Sequence, residues 1–520
     1  MAARLATTRI RRVKCGEEKP LCLRCVKTGR KCEYGVTDLS YSASSTLYTR
    51  PPSYSLAESP NKGCGERRAF EYYVQNVSKG LAAGMNLDFW TKVAPQICRS
   101  EPAVWDAIIS ISVLYEHPDQ CLDFPLLRIH QGKNHSLNHT QRDALTWYSR
   151  AISNVHSQIV RGKADPYIAL ISCVLFICVE AIQGRAVEAL QLYEQGVNLI
   201  LTLRHQVAAG ALSLPRSLFL DNTIIPLFLR LGAISLTISV VQVSEIFNLA
   251  DQNLNTEFTS LDAARTAISV VFAEVTLLER EAMPIRRAPI GEFVAGPEML
   301  AKQRMLKTKL DQWLLAYTNL CKSGVPAEPV MLAFHAAASI YISTCLTQQQ
   351  LIYDDYIDDF AIIVENAGLA FATSGGSAPF TFEMGLGLPL FLTAIKCRDS
   401  SLRRKALELL RQAPPVQAFF PCTPQALLAE KCMELEEHYS QLMVSMHGST
   451  NAGEYSTIIP EEARICYHDV FRPPDTGSPG GMGGDFGGDN SGSNVILEVF
   501  RNHFDPVSNR WCMISQCVPL

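Results

Sequence analysis

The sequence predicts a mainly α-helical protein. A large all-helical domain is followed by a small C-terminal β element, and a short cysteine-rich module opens the chain. Three observations carry this expectation. From about Phe70 to residue 446, apolar residues recur at helical spacing in segments divided by short Gly, Pro or Asn breaks. Hydrophobic residues make up 47% of the 520 and charged residues 19%, enough to bury a sizeable core. After residue 447 the pattern shifts to short runs of β-branched and aromatic residues in partial alternation.

At the start, residues 1–34 contain Cys15-x6-Cys22-x2-Cys25-x6-Cys32 within RIRRVKCGEEKPLCLRCVKTGRKCEYG. Thiolates at such short, regular spacing can close around zinc. This segment holds ten Lys or Arg against three acids, whereas the whole chain carries a net charge of only −4. A basic arm on a near-neutral body is the electrostatic footprint of DNA binding.

Residues 35–68 are rich in Ser, Tyr, Thr, Pro and Gly and lack helical periodicity, which reads as a flexible linker. No sustained a/d heptad runs through them, so dimerisation by a coiled coil there is unsupported and remains open.

The helical body is expected over residues 69–447, folding without the N-terminal arm or zinc. In EPAVWDAIISISVLYEH, Val104, Ile108, Ile111 and Tyr115 line one face. DALTWYSRAISNVHSQIV repeats the pattern with Ala144, Trp147, Tyr148, Ile152 and Val155. Asp165-Pro166 signals a helix start and Gly184 a helix stop. Further helices are expected at about 222–250, 257–282, 297–321, 329–349, 353–372, 386–396, 399–412 and 424–446, packed as antiparallel neighbours. The most apolar run, Ala169 to Ile182, is too short for a convincing membrane span and reads as a buried core helix, and no membrane partner is expected.

In the last segment, 448–520, the runs ARICYHDVF, NVILEVF and RWCMISQCV predict a small antiparallel β element. The Gly-rich stretch at 473–494 lacks the Lys-Ser/Thr pair and following helix of a phosphate loop, so it reads as a connecting loop. The cysteines outside the N-terminal array are scattered, mostly in apolar helical stretches, as suits a reducing compartment. No basic-then-apolar secretory leader precedes the array.

From Arg9 onward the chain resembles the fungal six-cysteine binuclear zinc cluster of transcription factors. That family repeats Cys-x2-Cys-x6-Cys on either side of a loop that usually contains Pro. Cys15, Cys22, Cys25 and Cys32 match its third to sixth cysteines, and Pro20 sits at the loop position. The first two cysteines would fall at positions 5 and 8, where this chain has Leu5 and Thr8. Two explanations are open: a true start in an upstream exon that supplies Cys-x2-Cys, or natural loss of part of the cluster. The abrupt resumption of the match at Arg9 favours the first. The stretches FWTKVAPQICRSEPAVWDAIISISVLYE and DPYIALISCVLFICVEAIQGRAVEALQLYEQGVNLI are similar to a helical domain common downstream of fungal zinc clusters. That similarity implies a regulatory domain of a transcription factor.

The resemblance implies roles for particular residues. In the family six thiolates hold two zinc ions through two shared sulfurs, one of which maps to Cys22. Four thiolates satisfy at most one tetrahedral zinc in this chain. Arg9, Arg11, Arg12 and Lys14 would lie on the first, groove-entering helix. Arg11 and Arg12 match the positions credited with base contact, where Arg can grip guanine with two parallel hydrogen bonds. Arg9 and Lys14, with Lys27, Arg30 and Lys31, would meet phosphates. A nuclear import signal or a solvated basic tail accounts for the same charges. Without the first two thiolates the groove helix loses its anchor, so the chain as written should bind DNA weakly or not at all.

Other motifs have plainer readings. His135 and His139 could share a helix face, but Ser136 stands where a metalloprotease has Glu. Cys173 and Cys178 lie on the apolar run and read as core. Asp354, Asp355, Asp358 and Asp359 alternate with Tyr353, Tyr356, Ile357 and Phe360. Such mixtures can recruit transcription machinery, but an amphipathic helix with a solvated acidic face accounts for them better. No nucleophile elbow, paired-carboxylate motif or nucleotide fingerprint appears, so an enzyme is not expected. The expected protein is a nuclear, zinc-dependent, sequence-specific transcription regulator that acts with DNA and protein partners. The alternative is a helical interaction or effector-sensing regulator that has lost autonomous DNA binding.

Overall fold

Helix boundaries in the body are set by caps written in the sequence. Asp165 Oδ1 accepts a hydrogen bond from Tyr167 N at 2.9 Å, satisfying an otherwise orphaned donor at the start of Pro166–Ile182. Asn138 and Gln141 form a reciprocal capping box at the start of His139–Val160, with bonds of 2.7 and 3.1 Å. Asp399 Oδ1 accepts from Ser401 N and Leu402 N. Gly184 takes φ +67°, and the N–H of Arg185 returns to Glu180 O, which closes the preceding helix as a glycine stop should.

The structure is a computed structural model. It describes residues 63–82, 88–118, 138–209, 213–238, 245–249, 257–373, 378–383, 385–446, 459–472 and 495–520. The helices in order are α1 (Cys64–Tyr72), α2 (Ser78–Ala82), α3 (Ala94–Ile97), α4 (Pro102–Glu116), α5 (His139–Val160), α6 (Pro166–Ile182), α7 (Ala186–Ala208), α8 (Leu214–Phe219) and α9 (Ile225–Ile238). After these come α10 (Leu261–Glu281), α11 (Met283–Arg286), α12 (Pro297–Lys322), α13 (Pro329–Thr344), α14 (Ile357–Thr373), α15 (Gly387–Lys396), α16 (Ser400–Gln412) and α17 (Cys422–Met446). The mainly α expectation holds across the body. Single π-helical turns at Tyr73–Val77, Phe89–Val93 and Leu220–Ile224 interrupt otherwise continuous helix and are not visible in the spacing of apolar residues.

Two small sheets accompany the helices. Strands β1 (Phe380–Thr381), β2 (Val416–Gln417) and β3 (Phe420–Pro421) form a minimal sheet, β1 parallel to β2 and β2 antiparallel to β3. The C-terminal strands β4 (Ile465–Phe471), β5 (Ile496–Asp505) and β6 (Arg510–Pro519) pair antiparallel in sequence order, with His468 opposite Val499 and Val499 opposite Gln516. This is the expected C-terminal β element.

One hydrophobic core runs from Ala69 to Val499 and includes Ile465, Leu497 and Val499, so the C-terminal sheet shares the core of the helices. The start of the body is also closed by residues far along the chain. Phe382 N donates to Leu81 O at 3.0 Å, and the Phe382 ring packs edge-on to Trp90 at 5.0 Å. Close packing sets some residue sizes: a Cβ on Gly196 of α7 would stand 2.6 Å from Phe228 Cζ, so only glycine fits there without movement.

The α6 run is buried on nearly every side, as expected of a core helix. The continuous helical stretch Leu214–Thr237 is longer, and by length and composition alone it could cross a membrane. It too is mostly buried in the core. It also carries Arg230, which is 2% exposed and forms an ion pair with Glu383.

Candidate functional site

The metal-ligand candidates Cys15, Cys22, Cys25 and Cys32 lie outside the described residues, as do Arg9, Arg11, Arg12, Lys14, Lys27, Arg30 and Lys31. Their chemistry remains legible from residue type. Four thiolate donors suit tetrahedral zinc, and guanidinium and ammonium groups suit base edges and phosphate. Among the described residues, no group of three or more His, Cys, Asp or Glu side chains is placed to hold a metal ion.

Residues read as structural from the sequence behave so where they are described. His139 pairs through Nδ1 with Asp143 at 3.0 Å, while His135 lies outside the described residues. Burial pushes the Cys173 thiol up to about 12 and holds Cys178 well above its ordinary value, so neither is an activated nucleophile. The acidic group needs a correction. Asp355 and Asp358 face solvent, whereas Asp354 is only partly exposed and is held in an ion pair. It receives both terminal nitrogens of the Arg464 guanidinium at 2.7 Å. The segment around it, Leu351–Tyr356, is a 3-10 turn entering α14, with Tyr353 buried.

That ion pair belongs to a buried polar network joining the 3-10 turn, the end of α15, α16 and α17 to the C-terminal segment. Glu436 of α17 is fully buried between two guanidiniums, with Arg398 Nη2 at 2.7 Å and Arg403 Nη2 at 2.9 Å, and it also accepts from Ile465 N. Burial alone would raise its pKa. The two arginines and the Ile465 N–H outweigh burial and hold the carboxyl below its usual value. Lys396, at the end of α15, donates to Gln350 Oε1, Ile465 O and Cys466 O at 2.9, 3.1 and 2.7 Å. Burial, reinforced by Arg398, lowers its pKa from 10.5 to about 7. Glu461 accepts from Gln350 N and Leu351 N, capping the 3-10 turn from across the chain, and Asn502 of β5 donates to the same carboxylate at 2.7 Å.

The network fastens the C-terminal segment to the helices. Its carboxylates are saturated by cations and backbone donors, and the thiols beside it are pushed up, Cys432 to about 12 and Cys466 to about 11. Sequence reasoning missed it because its members are far apart, Gln350 from Glu461 and Asp354 from Arg464. The one local trace is the charge cluster Lys396, Arg398, Asp399 and Arg403 directly after the apolar run of α15. On the surface, a groove of about 410 Å³ beside the end of α7 is lined by Leu201, Arg204, His205, Val207 and Ala208. Its arginine is tied to Asp221 at 2.8 Å.

Comparison with known proteins bears on the arm and on the body. Residues 8–38 match the family model of the fungal Zn(2)-Cys(6) binuclear cluster domain. A stretch of 134 residues is 27% identical to an uncharacterized transcriptional regulatory protein of Schizosaccharomyces pombe, covering 21% of this chain and 23% of that protein. A stretch of 354 residues is 24% identical to the aspercryptin biosynthesis cluster-specific transcription regulator of Emericella nidulans, covering 60% of this chain and 53% of that regulator. The chain thus spans about half, or less, of the length of these curated relatives. No solved structure matches.

Proposed function

We propose that this chain, a fungal zinc-cluster transcription factor, acts in the nucleus as a zinc-dependent regulator that reads DNA through its N-terminal arm. The observation that carries the reading is the cysteine array. Its spacing, the Pro20 loop and the flanking basic residues coincide with the stretch that matches the zinc-cluster family model. In this reading Cys15, Cys22, Cys25 and Cys32 hold zinc, at most one ion in the chain as written. Arg11 and Arg12 approach guanine in the major groove. Arg9, Lys14, Lys27, Arg30 and Lys31 meet phosphates and set register. The helical body is the regulatory part, working through protein partners. The regulator names of both relatives favour this non-enzymatic role.

The test is a metal count joined to a DNA selection. Native mass spectrometry of the full chain should find no more than one zinc, lost when Cys22 is replaced. A selection on random duplexes should enrich little with the chain as written, and a defined site once Leu5→Cys and Thr8→Cys restore the missing ligands. Failure of the repaired protein to enrich any site sinks the DNA-reading role. The second reading, a helical interaction protein without autonomous DNA binding, rests on the absence of cysteine at positions 5 and 8. It predicts that outcome.

A further inference from the structure

The C-terminal sheet has one closed edge and one open edge. On the β4 side, Ile465 O and Cys466 O accept from Lys396, and Ile465 N donates to Glu436, so α15 and α17 take up main-chain groups of that strand. At the other end of the order β4-β5-β6 stands β6. Among the described residues no strand lies beside its outer edge. It runs for ten residues, Arg510–Pro519, in unbroken register with β5.

The ladder fixes which main-chain groups of β6 point outward. Leu520 N donates to Val495 O at 3.0 Å, which makes these two a hydrogen-bonded pair at the foot of the β5–β6 register. Bonded and non-bonded pairs alternate along antiparallel strands. Val518, Gln516, Ile514 and Cys512 therefore turn their N–H and C=O toward β5. Cys517, Ser515, Met513 and Trp511 turn theirs away, as a row of donors and acceptors about 7 Å apart. Among the described residues, no backbone bond from another segment reaches these four positions. Ser515 and Cys517 are exposed, and Trp511 and Met513 are half-buried, so the row is open to solvent.

Edge strands are normally defended by charges, Pro or bulges that stop another strand from adding. Over residues 511–518 β6 has no charged residue and no Pro, and its pairing with β5 has no bulge. The one charge on the strand is the exposed Arg510. It stands opposite Asp505, whose carboxylate is held by the turn, accepting from Val507 N, Ser508 N and the Ser508 hydroxyl. A row of main-chain donors and acceptors is matched by another extended main chain. A second copy of β6 would bring no acid to Arg510, because the strand contains none. We infer that the outer edge of β6 is a strand-addition site for an extended segment of a partner protein. That segment runs antiparallel to β6 and is uncharged opposite 511–518. It carries β-branched or aromatic residues beside Met513 and Ile514, and an acid near its C-terminal end, where it meets Arg510. The inference deepens the reading that the body works through protein partners and rests on it. The zinc count and the DNA selection stand or fall separately.

The experiment pans a phage library of random twelve-residue peptides on the full chain, with counter-selection on Ser515→Pro. Proline there removes one outward N–H and leaves the ladder to β5 intact. The counter-selection also discards acidic peptides held only by the basic N-terminal arm. Surviving peptides, made synthetically, should bind Ser515→Pro at least about tenfold more weakly than the unaltered chain. They should lose their preference for the acid with Arg510→Glu. On the unaltered chain they should slow hydrogen exchange at the amides of Met513 and Ser515, which exchange fast without peptide, while Ile514 and Gln516 are protected throughout. This last reading needs no variant, so a misfolded Ser515→Pro cannot imitate it. A library that leaves no peptide after counter-selection overturns the inference, as do peptides that bind without slowing those two amides. Slow exchange at Met513 and Ser515 in the chain alone overturns it too, since another part of the chain or a second copy then covers the edge.

Discussion

Arg230 and Glu383 are 153 residues apart in sequence and meet as a bidentate ion pair, Nε to Oε2 at 2.8 Å and Nη2 to Oε1 at 3.0 Å, with both side chains 2% exposed. The pair joins α9 to the segment that carries β1, and the same segment closes on Leu81 and Trp90. Removing one partner leaves the other charge buried alone, which typically costs about 3–5 kcal/mol. Glu383→Ala should therefore lower stability by about that much in urea denaturation. Arg230→Met with Glu383→Leu should recover much of the loss, because an apolar pair avoids the stranded charge. A Glu383→Ala loss below about 1 kcal/mol would show that water reaches the site.

Removing everything after residue 446 should leave a helical but weakened protein. The truncation deletes Glu461, Arg464, Ile465 and Cys466, which supply the cap for the 3-10 turn, the partner of Asp354 and two acceptors of Lys396. Buried groups left without partners cost about 1–3 kcal/mol each. The expected result is a far-ultraviolet spectrum of helix with an earlier, broader thermal transition. An unchanged melting temperature would mean that the fastening contributes nothing to the body.

Lys396 makes a pH prediction with a definite sign. Its folded pKa lies near 7, below the ordinary 10.5. Between those values the unfolded chain keeps the proton that the folded chain has released, so folding is favoured as pH rises. Relative to Lys396→Met, the native chain should gain stability as pH rises from about 7 to about 9, with a slope of at most about 1.4 kcal/mol per pH unit. Urea denaturation of both proteins at several pH values gives the difference curve, in which thiols and tyrosines common to both cancel. A flat or falling difference would show that the three acceptors around Nζ keep it protonated throughout.

On the DNA side, in the protein carrying Leu5→Cys and Thr8→Cys, Arg11→Ala or Arg12→Ala should cost about 1–3 kcal/mol of base discrimination. Lys27→Ala should instead weaken binding alike on all sequences and reduce the salt slope by about 1. Binding titrations of each variant at several salt concentrations separate the two behaviours. If removing both arginines leaves the preferred site unchanged, neither reads a base.

Much of the fold was legible because it is locally encoded. Asp165 and Gly184 act through neighbours within a few residues, so that helix start and stop can be read directly; the caps at Asn138 and Asp399 are equally local, and the structure adds them. The π-turns at Tyr73–Val77 and Leu220–Ile224 were not legible, because one extra residue in a helical turn barely changes an apolar stripe. Nor were β1–β3, whose two-residue strands carry no period. Asp354 was grouped with its acidic neighbours because nothing local distinguishes it; its partner Arg464 comes 110 residues later. The candidate DNA-reading site is the opposite case. Its cysteines and arginines are read entirely from spacing and residue type, and they lie outside the described residues.

The bond from Phe382 N to Leu81 O sets an order of events during synthesis. A ribosome adding roughly 5–20 residues per second takes about 15–60 s to travel from one residue to the other. Through that interval Leu81, Trp90 and their helices have emerged while the strand that seals them has not been made. The first helices of the body therefore keep apolar surface uncovered until the 380s emerge. A stall or premature stop before that point would release a nascent chain whose apolar interior is still open to proteases and to aggregation.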